Sequence, residues 1–147
     1  MSQTAGQTSQ NAGSAAQDAA SAVDTIFTAP HLRWGVIGCG VIANQMAEAL
    51  ASVGRTIDGV ANRTQEKAVA FAQKHYVKRV YDSIDDLLAS DEIDAVYLTT
   101  PHNTHIIYLR KALQAGKHVL CEKSITLNSA ELLEAEELAR QNGVQLM

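Results

Sequence analysis

The segment "GVIGCGVIA", residues 35–43, constrains the fold of this chain more than any other feature. It places Gly38, Gly40 and Ala43 at G-x-G-x-x-A spacing, between an apolar strand-like run and an amphipathic helical pattern. Gly38 permits a tight turn, Gly40 lets the backbone approach a pyrophosphate, and Ala43 lets the helix pack closely on the strand. The segment therefore predicts a dinucleotide-binding turn. Its candidate contacts are Gly38, Cys39, Gly40, Val41 and Ile42.

The same glycine spacing also suits two other uses. It could form a tight turn that serves only packing, or it could bind another nucleotide-bearing ligand such as S-adenosylmethionine. The lysine of a P-loop is missing from the segment, which argues against a kinase or an NTPase.

Beyond this unit, apolar strand-like runs and helical patterns alternate to the end of the chain. The further strand runs are "TIDGVA", a short one near Arg79–Tyr81, "IDAVYLTT", "KHVLC" and the start of a sixth, "VQLM". Asn103 is the expected N-cap of one helix, and two Ser/Asn–acid pairs predict capping boxes at Ser83 and Asn128. Apolar strands separated by helices indicate a parallel sheet covered on both faces. The predicted fold class is α/β, a Rossmann-type doubly wound parallel sheet of about six strands over residues 31–147.

Composition sets the remaining limits. Residues 1–30 are rich in Ser, Gln and Ala and nearly free of charge, which predicts a disordered tail. The formal net charge of −4 gives no reason to expect nucleic acid or an anionic membrane as a partner, and no run of about 18 apolar residues predicts a membrane span. Cys39 and Cys121 form no CxxC pair, which favours free thiols and a cytoplasmic location. A disulfide between them is not expected, because the fourth strand should lie between the first and the fifth.

The end of the second strand bears on the choice of cofactor. NAD-binding domains usually carry an acidic residue there, whereas this chain reads "VANRTQEK" with Asn62 at that place. Arg63 can pair with a 2′-phosphate or stack on an adenine. NADP(H) is therefore favoured over NAD(H), which stays possible if Arg63 is only a solvated residue at the start of a helix.

Two polar clusters follow later strands, where ligands bind in open α/β sheets. "TTPHNTH" supplies the candidate contacts Thr99, Thr100, Pro101, His102, Asn103 and His105, and "CEKS" supplies Glu122 and Lys123. His102 and His105 have no third ligand of suitable type near them in the sequence, so no metal site is predicted. From the residues alone, Glu122 and Lys123 could equally form a surface ion pair that ends the strand.

The segments "GVIGCGVIA", "TTPHNTH" and "AGKHVLCEK", in this order and spacing, resemble the N-terminal half of the Gfo/Idh/MocA oxidoreductases. The resemblance covers about residues 32–147 and is greatest to the dihydrodiol and xylose dehydrogenase branch. It implies hydride transfer between a nicotinamide cofactor and a sugar, polyol or diol. It also implies that Lys123 is the catalytic lysine of the E-K-P motif and that Glu122 is its adjoining acid. This chain departs from the motif at Ser124, which replaces the proline.

The family's second, α+β domain should follow "VQLM" and is absent from the sequence, so we expect cofactor binding with little turnover and an oligomer only with that domain. Two alternatives stay open. One is a stand-alone dinucleotide-binding or sensor module, and the other is a methyltransferase-like or purely structural Rossmann domain.

Overall fold

Strands and helices alternate through the computed structural model, which describes residues 30–147. The predicted tail, residues 1–30, lies outside the described residues except for Pro30. The five strands within this range are β1 (Trp34–Ile37), β2 (Gly59–Ala61), β3 (Arg79–Val80), β4 (Ala95–Leu98) and β5 (His118–Cys121). The five helices within the described range are α1 (Val41–Ser52), α2 (Gln65–His75), α3 (Ile84–Ala89), α4 (His102–Gln114) and α5 (Ser129–Asn142).

The strands form one parallel sheet in the order β3-β2-β1-β4-β5. Val36 on β1 pairs with Val60 on one side and with Tyr97 on the other. The order reverses beside β1, and such a switch point is where open α/β sheets bind ligands. The predicted sixth strand is reduced to one parallel bridge between Val119 and Leu146 beside β5. The predicted doubly wound α/β fold is therefore confirmed, with five full strands.

Helices cover both faces of the sheet, as predicted. On one face, α1 and α2 bury Ala43 and Phe71 against Val60 and Tyr97. On the other face, side chains of α3, α4 and α5 bury a larger cluster around Leu98. Ala43 has no exposed surface, which is the close contact between helix and strand that the glycine segment predicts. No helix within residues 30–147 is both long and apolar enough to cross a membrane.

Side chains cap two of the helices at the predicted positions. Ser83 Oγ accepts a hydrogen bond from the backbone N–H of Asp86 (3.0 Å), and Asn128 Oδ1 accepts one from Glu131 (2.9 Å). The expected cap at Asn103 is wrong. Helix α4 begins two residues earlier than expected, at His102, with Pro101 at the N-cap position. Pro101 fixes the backbone before the helix, and its carbonyl accepts from both the N–H and the hydroxyl of Thr104 (2.8 and 2.7 Å).

Candidate functional site

A cleft of roughly 580 Å³ lies where the carboxyl ends of β1, β2, β4 and β5 meet. The parallel register brings these four strand ends to one edge of the sheet. The cleft contains most of the residues that the sequence predicts for it. These are Gly38, Cys39, Gly40, Ile42, Asn62, Arg63, Thr99, Thr100, Pro101, His102, Glu122 and Lys123.

Three predicted residues do not line the cleft. Val41 and Asn103 are exposed near the starts of α1 and α4, and His105 is completely buried on α4. Five lining residues were not predicted from the sequence: Thr64, Lys67, Ile84, Thr104 and Tyr108. Lys67 could have been found, because it lies in the first turn of helix α2, directly after the segment with Asn62 and Arg63.

The two glycines of the first turn differ in what confines them. Gly38 has φ +100°, and a Cβ there would lie 2.8 Å from Thr99 Oγ1 and 3.0 Å from the Thr99 carbonyl carbon. Gly40 has an ordinary φ of −79°, and a Cβ there would meet nothing within 4 Å. Gly38 is thus required by the fold, whereas the space in front of Gly40 is open to a ligand.

The start of α1 is suited to an anion. No side chain caps it at Gly40, so the first backbone N–H groups of the helix keep their hydrogen-bonding capacity. A helix N-terminus also carries partial positive charge. Together with the open space at Gly40, this geometry fits the pyrophosphate of a dinucleotide.

The two cysteines are free, as expected. β4 separates β1 from β5, which is the arrangement that made a disulfide improbable. Burial raises the pKa of the Cys39 thiol to about 11, although the charge of Lys67 opposes the shift. Burial, followed by the charge of Glu122, raises the pKa of Cys121 to about 12. Both thiols are protonated near neutral pH, so Cys39 serves as a small residue in the turn.

Positive charge dominates the cleft, although the whole chain has a formal net charge of −4. Arg63, Lys67 and Lys123 line it and are exposed, and within the described part of the chain their side chains form no hydrogen bond or ion pair. Among the described residues, Glu122 is the one carboxylate in the lining. Asn62 is held locally, because its amide donates to the Thr64 carbonyl (3.0 Å). The arrangement therefore favours an anionic ligand.

Glu122 and Lys123 do not form the ion pair that the sequence allowed. Among residues 30–147, the partner of the Glu122 side chain is Tyr97, whose hydroxyl donates a hydrogen bond to Oε1. Burial, together with this hydrogen bond and the charge of Glu122, raises the pKa of the Tyr97 hydroxyl. The phenol therefore stays protonated, and the Lys123 ammonium is left facing solvent at the cleft.

His105 joins two of the loops that form the cleft. Its Nε2 lies 2.7 Å from the Thr100 carbonyl oxygen, and its Nδ1 lies 2.9 Å from the Ser124 carbonyl oxygen. The imidazole thereby connects the loop after β4 to the loop that carries Lys123. The imidazole rings of His105 and His102 meet edge to face, with their centroids 6.2 Å apart. No cluster of three or more His, Cys, Asp or Glu side chains that could hold a metal is present in the described range.

The glycine turn, the uncapped helix and the switch point of a parallel sheet together define a dinucleotide-binding domain of the Rossmann class. The family described as "Oxidoreductase family, NAD-binding Rossmann fold" (GFO_IDH_MocA) matches residues 32–147. The chain belongs to this Gfo/Idh/MocA family of oxidoreductases, and the resemblance found in its motifs is confirmed.

Relatives in several organisms are similar to the same part of the chain. The trans-1,2-dihydrobenzene-1,2-diol dehydrogenase of Mus musculus is 37% identical over 119 residues, which cover 79% of this chain and 36% of that protein. An uncharacterized oxidoreductase of Rhizobium meliloti is 38% identical over 103 residues, covering 69% of this chain and 31% of the relative. The chain thus spans about a third of the length of the curated relatives it matches.

Solved structures agree with the fold. KijD10, a 3-ketoreductase from Actinomadura kijaniata in complex with NADP and TDP-benzene, superposes with a TM-score of 0.75 at 33% identity, covering 80% of this chain and 37% of that one. An NAD binding oxidoreductase from Klebsiella pneumoniae gives a TM-score of 0.75 at 28% identity, covering 80% of this chain and 34% of the other.

Proposed function

We propose that residues 31–147 bind NADP(H) in preference to NAD(H) and form the cofactor-binding part of an oxidoreductase that acts on a sugar, polyol or diol. The observation that carries the preference is the pair of exposed cations, Arg63 and Lys67, that line the cleft after β2. A carboxylate at this place would repel a 2′-phosphate, and Asn62 stands there instead.

The rest of the site fits the other parts of the dinucleotide. The open space at Gly40 and the uncapped start of α1 suit the pyrophosphate. Thr99, Thr100 and His102 form a polar wall after β4, and Glu122 and Lys123 form another after β5. These two walls are the expected contacts of the nicotinamide half.

Lys123 is the proposed catalytic residue. The bound cofactor would supply the hydride chemistry, whereas the protein must bind, orient and manage the proton of the substrate oxygen. The exposed Lys123 ammonium has three N–H donors and no partner within the described residues, so it can hydrogen-bond an alcohol or carbonyl oxygen. The substrate class is supported by two relatives, a diol dehydrogenase and a 3-ketoreductase.

The test is a calorimetric titration of the full chain with NADPH and with NADH, repeated on Arg63→Ala and Lys67→Ala. Each substitution removes a charged partner of the 2′-phosphate, so we expect NADPH to bind about tenfold more weakly and NADH to change less than about threefold. Lys74→Ala is the matched control. Lys74 lies on helix α2 with Lys67, but its side chain contacts Asn44 and Glu48.

Equal affinities for the two cofactors, unchanged in Arg63→Ala, would contradict the NADP preference alone. Failure to bind either cofactor by a chain that is folded by circular dichroism would contradict the dinucleotide proposal. It would favour the methyltransferase-like or structural alternatives.

A further inference from the structure

The buried tyrosine Tyr97 is connected to the cleft through its hydroxyl group. Tyr97 lies on β4 with 6% of its surface exposed, and its ring packs in the core between the sheet and helices α1 and α2. The register pairs Tyr97 with Leu120 on β5, so Glu122 follows two residues beyond its partner. The Tyr97 hydroxyl donates a hydrogen bond to Glu122 Oε1.

The acceptor of the Tyr97 hydroxyl differs from the acceptor that a second buried tyrosine uses. A buried O–H must find an acceptor, because leaving it unpaired in an apolar core destabilises the fold. Tyr81, which is 5% exposed, meets that need with a neutral group away from the cleft, the hydroxyl of Ser90 (2.8 Å). Tyr97 instead donates to Glu122, the carboxylate that lines the cleft within residues 30–147.

A carboxylate bonded through one oxygen has a second oxygen available as an acceptor. Within the described chain, the Glu122 side chain has no partner other than Tyr97, and it borders the cleft next to Lys123. Its backbone N–H is also fixed, because it donates to the Leu98 carbonyl (3.0 Å). The backbone and the side chain of Glu122 each have a hydrogen-bond partner, and the side-chain partner is a phenol whose ring is packed in the core.

We propose that Tyr97 is a positioning residue, whose hydroxyl orients the Glu122 carboxylate so that its second oxygen accepts a hydrogen bond from the nicotinamide riboside half of the bound dinucleotide. This inference rests on the proposed function. Tyr97 makes no contact with the ligand, and it acts through Glu122 alone. The raised pKa of the phenol keeps it a donor throughout the pH range in which proteins bind cofactors.

The experiment compares Tyr97→Phe with Tyr81→Phe in the full chain. Each substitution removes one hydroxyl and one hydrogen bond from a buried ring, so both should lower the melting temperature by a similar few degrees. NADPH and adenosine 2′,5′-bisphosphate, which lacks the nicotinamide riboside half, are titrated into each variant by calorimetry. We expect Tyr97→Phe to bind NADPH about tenfold more weakly and adenosine 2′,5′-bisphosphate unchanged, whereas Tyr81→Phe binds both ligands like the wild type.

A second series separates positioning from packing. If Tyr97 acts through Glu122, then Tyr97→Phe should have no further effect on NADPH affinity in a Glu122→Ala background. Glu122→Ala is also the variant to rely on if Tyr97→Phe does not fold, and it should reproduce the tenfold loss for NADPH only. An equal loss from Tyr97→Phe in both backgrounds would overturn the proposal.

The outcome for the wild type keeps this inference separate from the proposed function. If the wild-type chain binds NADPH and both Tyr97→Phe and Glu122→Ala bind it equally well, the positioning role is wrong while the cofactor assignment stands. If the folded wild type binds neither NADPH nor NADH, the cofactor assignment fails and the positioning role fails with it.

Discussion

The two edges of the sheet differ in whether their cationic side chains have partners. At the amino ends of the strands, Arg33 is bonded to Asp94 through two nitrogens, and Lys78 is bonded to Asp58 (2.7 Å). Lys117 is 92% buried there, and its ammonium donates to two backbone carbonyls. At the carboxyl ends, the cations of the cleft have no such partners within residues 30–147.

The difference separates charges that stabilise the fold from charges that are unpaired within the described residues and so remain available to a ligand. A partner is required where burial removes water from a charge, as at Lys117. The exposed cations of the cleft are solvated, so leaving them unpaired costs little stability. Unpaired cations beside an uncapped helix N-terminus attract an anion, whereas paired ones are already neutralised.

The largest effect on stability is expected from Gly38 and Gly40. Both lie at the carboxyl edge, but only one of them is confined by the fold. Gly38→Ala forces a side chain into a left-handed conformation and against the Thr99 backbone, so it should lower the free energy of unfolding by about 3 kcal/mol. Gly40→Ala meets no neighbour and should change it by less than about 0.5 kcal/mol. Urea denaturation measures both values.

The same pair tests the ligand assignment. A Cβ at position 40 occupies the space through which a pyrophosphate approaches the backbone, so Gly40→Ala should weaken NADPH binding more than about tenfold without loss of stability. A stable Gly40→Ala protein with wild-type affinity would show that the turn serves only packing.

The next largest effect is expected from two lysines at opposite ends of β5. They test whether charges at the amino edge contribute to stability while those at the carboxyl edge do not. Lys117→Met removes the donor to the Ile93 carbonyl and one of the two donors to the Ser90 carbonyl, which should cost about 2 kcal/mol of stability and leave NADPH affinity unchanged. Lys123→Met loses no hydrogen bond or ion pair within the described residues and should melt like the wild type. Parallel thermal melts and NADPH titrations give both readouts, and a destabilised Lys123→Met would mean that the carboxyl edge also holds the fold.

The smallest effect concerns pH at the amino edge. Hydrogen bonds from Arg33 hold the pKa of Asp94 well below its usual value. Its stabilisation is therefore fully present above about pH 4 and is lost as the pH falls further toward the native pKa. Asp94→Asn should reduce stability by about 1 kcal/mol at pH 7, after allowance for solvent screening, and by progressively less below pH 4.

Glu137→Gln is the control for that measurement. Glu137 pairs with Arg140 on the exposed face of α5, where solvent screens the charges, so its loss should leave the stability at pH 7 nearly unchanged. A constant deficit of Asp94→Asn between pH 7 and pH 2 would mean that the contribution of Asp94 does not depend on its charge.

Part of the site could be foreseen because its signals are local. The glycine turn, the absence of an acid after β2 and the polar ends of β4 and β5 are patterns of a few adjacent residues, and a parallel sheet brings strand ends to one edge. The polar segment that contains Thr99 and Pro101 also contains His105, and this pattern predicts that His105 lines the cleft. Its position four residues before the buried Leu109 on α4 was the signal that it faces the core instead.

The order of elements, the strand–turn–helix unit at Gly38 and Gly40, and the capping of two helices were determined by the sequence itself, because each depends on neighbouring residues. Three features depend on tertiary packing instead: the pairing of Tyr97 with Glu122, the loop connection through His105, and the hydrogen bonds of the buried Lys117 ammonium. Tyr97 and Glu122 are 25 residues apart in the chain. Such contacts depend on strand register and on which face each side chain takes, and these are set when the helices pack on the sheet.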